Sequence, residues 1–333
     1  MIEKLMRQCG LGEVTEDITA VSGGLMHKMY RVAAESGVYA VKKLNADIMK
    51  RPDAMANYGR AERLEAVLEK SGIPMVPALA IGGRKMQQLG GGYYYIFRWQ
   101  EGSITGAEQL SAQQCFLAGE LLGRVHSVPT EDVFSEAGEP FDMDIGFYIE
   151  KAGEQDKELA DMLAAERALL ENAGDKLNEA RRAVPQRVSI INDDMDTKNV
   201  MWNGGAPVMI DLECLDTGDP YASCMNLALQ WAEKDGDISE ERLGAFLTGY
   251  SGVCGGLPED FDRYYGAAYS WLEWLEYNLR RAFGMEGSGE NDKAEGRREA
   301  FAAIKRIRCL EKREAGIRSM IREIAEQTGT SER

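Results

Sequence analysis

The hydrophobic pattern of this chain changes period near residue 100, and that change restricts the fold more than any other feature. Before it, short runs rich in β-branched and aromatic residues alternate with glycine turns, the signature of strands and hairpins. The runs are Thr19-Ala20-Val21, Met29-Tyr30-Arg31-Val32, Val38-Tyr39-Ala40-Val41-Lys42, residues 75–81 and Tyr93-Tyr94-Tyr95-Ile96-Phe97. Ser22-Gly23-Gly24, Glu35-Ser36-Gly37 and Gly82-Gly83 punctuate them. One helix is inserted at 53–70, where Met55, Ala61, Leu64, Val67 and Leu68 fall at helical spacing and Gly72-Ile73-Pro74 ends the run. After residue 102 helices dominate: 111–126 with Leu117, Leu121, Leu122 and Val125, a charge-rich stretch at 156–183, and an aromatic one at 264–283. Only Val188-Ser189-Ile190-Ile191 and Val208-Met209-Ile210 interrupt them as short apolar segments, each followed by a polar loop. The acidic, Gly-rich stretch 284–296 reads as a mobile loop. The expected fold class is α+β and bilobal. Residues 1–98 form a five-stranded antiparallel N-lobe with one helix, and residues 99–333 form a mainly helical C-lobe.

Charge narrows the function. With 39 Lys and Arg against 55 Asp and Glu in 333 residues, the net charge is −16, which argues against a nucleic-acid surface, since that needs a basic face. The acidity suits cationic or metal-bridged ligands, or solubility alone. The opening residues carry mixed charge rather than a signal peptide. No run reaches the roughly 18 apolar residues that a membrane crossing needs. Six scattered cysteines, none in a CxxC pair, fit free thiols in a reducing, cytoplasmic setting. His27 and His126 are the only histidines, so a His-rich metal site is excluded.

The chemistry concentrates in Asn192-Asp193-Asp194-Met195-Asp196-Thr197-Lys198-Asn199-Val200-Met201-Trp202, followed by Val208-Met209-Ile210-Asp211. An acid, an amide five residues later and a second acid after an apolar strand suit metal-assisted phosphoryl transfer. Asp194 can orient an attacking hydroxyl and accept its proton, while the Asn199 amide oxygen and Asp211 are hard donors for Mg²⁺ against nucleotide phosphates. Ser22, Gly23 and Gly24 let backbone N–H groups approach phosphate oxygens with no Cβ in the way. Lys42, at a strand end, can reach phosphates, and Glu62 on the following helix can hold it by an ion pair.

In this order the segments resemble the aminoglycoside phosphotransferase/choline kinase family, small-molecule kinases with a protein-kinase-like fold. Tyr39-Ala40-Val41-Lys42, Gly72-Ile73-Pro74, Leu121-Leu122-Gly123-Arg124-Val125-His126-Ser127, Ile210-Asp211-Leu212-Glu213 and Gly218-Asp219-Pro220 carry the likeness over about residues 18–283. The resemblance implies Asp194 as catalytic base and Asn199 and Asp211 as Mg²⁺ ligands. It places Lys42 on the α- and β-phosphates, with Glu62 as its partner and Glu65 as the fallback. It also implies an adenine slot between Ala40 above and Met201 and Ile210 below, with backbone groups at Phe97, Arg98 and Trp99 reading the base edge. His126, in the family's Leu-x-x-x-His pattern, is expected to pack against the catalytic loop; His27 is expected to face solvent.

The family's usual His-Gly-Asp triplet is Asn192-Asp193-Asp194 here. Asn192 can donate and accept as the histidine does, and Asp193 tolerates the backbone angles the glycine allows. After Pro220, the family's Asp-Leu-Ala is replaced by Tyr221-Ala222-Ser223-Cys224. The expected activity is transfer of the γ-phosphate of ATP, or GTP, with Mg²⁺ to a hydroxyl of a small cationic molecule. Trp271, Glu273 and Trp274 are the candidate acceptor contacts, by cation–π contact and ion pairing. The alternative is a catalytically degenerate kinase-fold protein acting in binding or as a coat or scaffold component, suggested by Asn192-Asp193. Protein kinase activity is disfavoured because no Ala-Pro-Glu-like segment follows Asp211.

Overall fold

The computed structural model describes residues 1–21, 27–130, 139–182, 187–287 and 289–328. The chain forms two compact units, one of Met1–Gly106 with Asp194–Asp216, the other of Ala107–Asp193 with Thr217–Arg333. The first unit thus runs past the expected boundary at 98/99 and takes in the 194–216 segment. Two contacts bring it there. Ser103–Ile104 pairs with Val200–Asn203, which pairs in turn with Ala206–Met209. Met209 also donates its N–H to the Pro74 carbonyl (3.0 Å) and accepts from the Val76 N–H (2.9 Å).

In the first unit, β1 (Thr19–Val21), β2 (Lys28–Ala34), β3 (Gly37–Lys43), β4 (Gln87–Leu89) and β5 (Gly92–Arg98) form an antiparallel sheet in the order β1-β2-β3-β5-β4. Five strands are expected and five are present, but residues 75–81 are not one of them; they make only isolated bridges, at Met75, Ala78 and Ile81. Pro77 has no N–H to give a ladder. The fifth strand is Gln87–Leu89, turned into β5 by Gly90-Gly91, whose φ values of 57° and 77° suit the tight hairpin that only glycine adopts without strain. A second helix is also present: α1 (Ile2–Gln8) buries Leu5 and Met6 against Val32, Tyr39, Val41, Tyr94 and Ile96.

Period-two alternation then sets the opposite face. Tyr39 and Val41 belong to the α1 core, so Ala40 and Lys42 face the other way, opposite Phe97 and Tyr95 in register. Tyr95 packs there with Leu44 and Ala78 and with Tyr58 of α2 (Ala54–Lys70).

In the second unit, Ser111 caps the helix Ala112–His126 through a reciprocal box with Gln114. This helix meets Glu240–Cys254 almost backbone to backbone. A Cβ on Gly119 would lie 2.0 Å from the Phe246 carbonyl oxygen, and one on Gly249 would lie 2.1 Å from that of Phe116. Gly119→Ala should therefore cost about 3 kcal/mol despite its better helix propensity, at the upper end of overpacking penalties. Urea unfolding checks this, and an unchanged midpoint would mean that the helices do not touch there.

Two expectations are revised in this unit. Phe261–Ser270 is a 3₁₀ helix that precedes the α-helix Trp271–Ala282, so the 264–283 stretch is not one α-helix. Gly266 lies there, where a Cβ would meet the Lys176 carbonyl at 2.6 Å. Likewise, the helix Glu290–Thr328 begins inside the expected 284–296 loop, and its buried Gly296 lies against Asn278 and Arg281.

Candidate active site

Every charged residue singled out for phosphate or metal chemistry lies in the first unit. Lys42, only 5% exposed, donates to Asp211 Oδ1 at 2.7 Å and to Glu213 Oε2 at 2.9 Å. Burial alone would push this ammonium down, but the two carboxylates outweigh it and hold Lys42 above its usual range. The expected ion pair with Glu62 is not formed. Glu62 accepts from the Tyr95 hydroxyl (2.8 Å) and the Met86 N–H (3.2 Å). The fallback, Glu65, accepts from the Ala78 N–H (2.6 Å) and pairs with Lys85 (3.0 Å). Both glutamates nevertheless line one small cleft with Lys42, Phe97, Asp211 and Glu213.

Asp211 itself has φ 59°, the left-handed region that aspartate enters more readily than most residues. The unusual backbone position expected of Asp193 thus occurs at Asp211 instead; Asp211 and Asp235 are the non-glycine residues with positive φ among the described residues. Such a conformation costs on the order of 1–3 kcal/mol and persists where the surroundings enforce it. At Asp211 they include the Lys42 ion pair.

The loop before it is built from short-range bonds. The Asp196 carboxylate caps the 3₁₀ turn Thr197–Asn199 by accepting from the Lys198 N–H at 3.0 Å. Asn199, buried, donates its Nδ2–H to the Asp194 carbonyl at 2.7 Å, which fixes the amide and leaves Oδ1 as its remaining acceptor. The Asn199 carbonyl accepts from the Ile210 N–H at 2.9 Å and so brings the neighbouring Asp211 alongside. Lys198 Nζ lies 2.8 Å from Asp196 and 3.5 Å from Asp194. Burial pushes the half-buried Asp194 carboxyl up to about 6; Lys198 opposes the rise and the Asp196 and Asp211 carboxylates add to it.

Ser22, Gly23 and Gly24 lie outside the described residues. Ala40 pairs with Phe97, and Met201 pairs with Val208 and Ile104; Ala40, Met201 and Ile210 are all half-buried. Arg98 is exposed at the end of β5, and the Trp99 N–H is taken by the Val38 carbonyl at 2.9 Å, so that donor is not available to a base edge.

In the second unit His126 is fully buried. Its Nδ1 bonds the Tyr250 hydroxyl at 3.0 Å, its carbonyl accepts from Ser189 and Arg187, and burial drives its pKa down to about 3. Asn192, also fully buried, makes no side-chain hydrogen bond among the described residues, so the expected replacement of the histidine's bonds is not seen. Asp193 accepts from Ser223. Of the acceptor candidates, two already hold cations of the protein itself: the Arg306 guanidinium sits 4.0 Å over the Trp271 ring, and Arg181 pairs with Glu273 at 2.9 Å. Trp274 stacks with Tyr277 at 5.6 Å.

The sequence matches the phosphotransferase enzyme family over residues 17–277, well over half of its length. The chain belongs to that family. No curated protein matches the sequence. Among solved structures, this phosphotransferase shares its fold with a spectinomycin phosphotransferase in complex with ADP and spectinomycin, at TM-score 0.66 and 13% identity over 93% of this chain and 98% of that one. A choline/ethanolamine kinase family protein from Mesorhizobium loti gives TM-score 0.62 and 17% identity, over 97% and 100%. An amicoumacin kinase in complex with AMP-PNP, Ca²⁺ and Ami gives 0.61 and 12%, over 90% and 92%. The kinase-like fold expected from the sequence is the fold present.

Three site neighbours of this phosphotransferase have no role in the sequence reading. Lys198 falls between Asp194 and Asn199 and Glu213 two residues after Asp211, so sequence proximity is the available signal. His27 had none. Rather than facing solvent, its side chain is 7% exposed and bonds Glu213 at 2.8 Å. Among the described residues no group of three His, Cys, Asp or Glu is arranged to hold a metal ion, and no helix is long and apolar enough to cross a membrane. The Asn199 and Asp211 oxygens are instead a sparse, hard donor pair. Such a pair fits Mg²⁺ held jointly by protein, water and phosphate rather than by a protein cage.

Proposed function

We propose that this phosphotransferase moves the γ-phosphoryl group of ATP, with Mg²⁺, to a hydroxyl of a small cationic molecule. The observation that carries the reading is the bonded run from Lys42 through Asp211 to Asn199 and Asp194, which gathers one buried ammonium and three oxygen-bearing side chains in a single compact unit. Lys42 Nζ binds phosphate oxygens. Asn199 Oδ1 and the Asp211 carboxylate would hold Mg²⁺, which when bound supplies positive charge to those oxygens. Asp194 orients the acceptor hydroxyl and takes its proton as the new P–O bond forms and the bond to the β-phosphate oxygen breaks, leaving ADP. ATP is preferred to GTP because the related folds carry ADP and AMP-PNP.

A cationic acceptor agrees with the −16 charge and with the spectinomycin and choline/ethanolamine kinases that share the fold. Of the expected acceptor contacts Trp274 is kept, since Trp271 and Glu273 are engaged by arginines. Thermal unfolding with ATP, with and without Mg²⁺, tests the nucleotide part of the reading. A hundredfold excess over Kd contributes about 2.7 kcal/mol, which should raise Tm by roughly 4 °C, and only when Mg²⁺ is present. No shift at millimolar nucleotide would instead favour a kinase-fold binding or scaffold protein.

A further inference from the structure

A lysine that binds phosphates must be held in place, and in this chain neither glutamate of α2 does so. Glu62 is occupied by Tyr95 and Met86, and Glu65 by Ala78 and Lys85. Lys42 is held from the Asp211 loop instead, by Asp211 and Glu213 together. These two carboxylates are not equivalent. Asp211 is also the candidate cation ligand, and a cation there competes with Lys42 for the same oxygens. Glu213 is the partner that can keep Lys42 in position while Asp211 serves the metal.

Glu213 is itself pinned. Its Oε2 faces Lys42 and its Oε1 receives His27 Nε2 at 2.8 Å. The imidazole is fixed from its other side, because Nδ1 accepts from the Asn45 N–H at 3.0 Å. That bond places the ring proton on Nε2, where it is donated to Glu213. The Tyr58 hydroxyl of α2 lies 3.4 Å from the same nitrogen. The residue before β2, the segment after β3, α2 and the Asp211 loop therefore converge on one ring, 7% exposed.

We propose that His27 is a positioning residue for nucleotide binding, acting through Glu213 to keep Lys42 on the phosphates. The inference rests on the phosphotransferase reading above. Its two ring nitrogens can be tested separately. His27→Gln puts an N–H near the Nε2 position and keeps the bond to Glu213; His27→Asn keeps an acceptor for Asn45 but does not reach Glu213.

Calorimetric titration of the full chain with ATP in magnesium chloride should show His27→Asn weakening Kd by roughly tenfold, with His27→Gln within about threefold of wild type. Glu213→Gln should weaken Kd by a similar factor, and adding His27→Asn to it should cost little more, because the two residues act as one link. A purely structural role in anchoring Asn45 would reverse the order, sparing His27→Asn and impairing His27→Gln. That reversal, unchanged binding by His27→Asn, or penalties that simply add in the double variant would each overturn the inference. If His27→Asn does not fold, wild-type affinity in Glu213→Gln overturns it equally. Wild-type protein that does not bind ATP with Mg²⁺ overturns the phosphotransferase reading, and the inference with it. Wild-type protein that binds, with His27→Asn unaltered, overturns the inference alone.

Discussion

Replacing Asp194 by alanine is expected to lower turnover by about 10²- to 10⁴-fold, the range for losing a positioned general base, while ATP binding persists. The separation follows from geometry. The Asp194 side chain faces Lys198, whereas its backbone carbonyl receives Asn199. Alanine keeps that carbonyl, so the loop and the Asn199 orientation survive the substitution.

The same group sets a pH dependence. Burial raises the Asp194 carboxyl to about 6 against the pull of Lys198, and only the ionised form accepts a proton. Hence kcat/KM should fall as pH drops through about 6 and level off above it. In the alanine variant the residual rate should lose that acidic limb. Single-turnover measurement with any accepted hydroxyl compound separates the possibilities. A variant as fast as wild type, or one that keeps the limb, would remove Asp194 from the chemistry.

How far such a site can be read from sequence depends on the range of the contacts that build it. The Asp194-to-Asn199 loop was legible because its bonds span five residues or fewer, and the strand before Asp211 because apolar residues mark it. β2, β3 and β5 are legible from their β-branched and aromatic runs between glycine turns, whereas the face that Lys42 takes, away from Tyr39 and Val41, follows from the packing of the formed sheet. What failed was the choice among equivalent partners. Glu62, Glu65, Asp211 and Glu213 are all carboxylates able to serve one lysine, and nothing local selects among them; Tyr95, Met86, Ala78 and Lys85 remove the first two only after the sheet has formed. Trp271 and Glu273 were offered to a ligand for the same reason, since the arginines that engage them lie at positions 306 and 181. The apolar content of 75–81 reads as a strand although Pro77 removes a ladder donor, while the glutamines give Gln87–Leu89 only a weak strand signal.

The second large effect should follow from Lys42→Met, because there binding and stability depend on the same ammonium. Lys42 is nearly buried, and its partners Glu213 and Asp211 are 17% and 32% exposed. Removing the cation leaves two carboxylates side by side without it. Breaking a fully buried pair costs 3–5 kcal/mol, and the partial exposure of Asp211 lowers the expectation to about 2 kcal/mol. ATP binding should weaken by roughly 10- to 100-fold, the worth of charge-assisted hydrogen bonds to phosphate. Adding Glu213→Gln to Lys42→Met separates the two losses. It removes one of the unpaired charges, so the urea midpoint should recover part of the way, while ATP affinity should stay low because no ammonium has returned. Full recovery of affinity in that double variant would show that Lys42 restrains the carboxylates but does not meet the phosphates. An unchanged midpoint in Lys42→Met alone would show that the ion pair with Asp211 and Glu213 does not hold the loop, and that the left-handed backbone of Asp211 is maintained by other contacts.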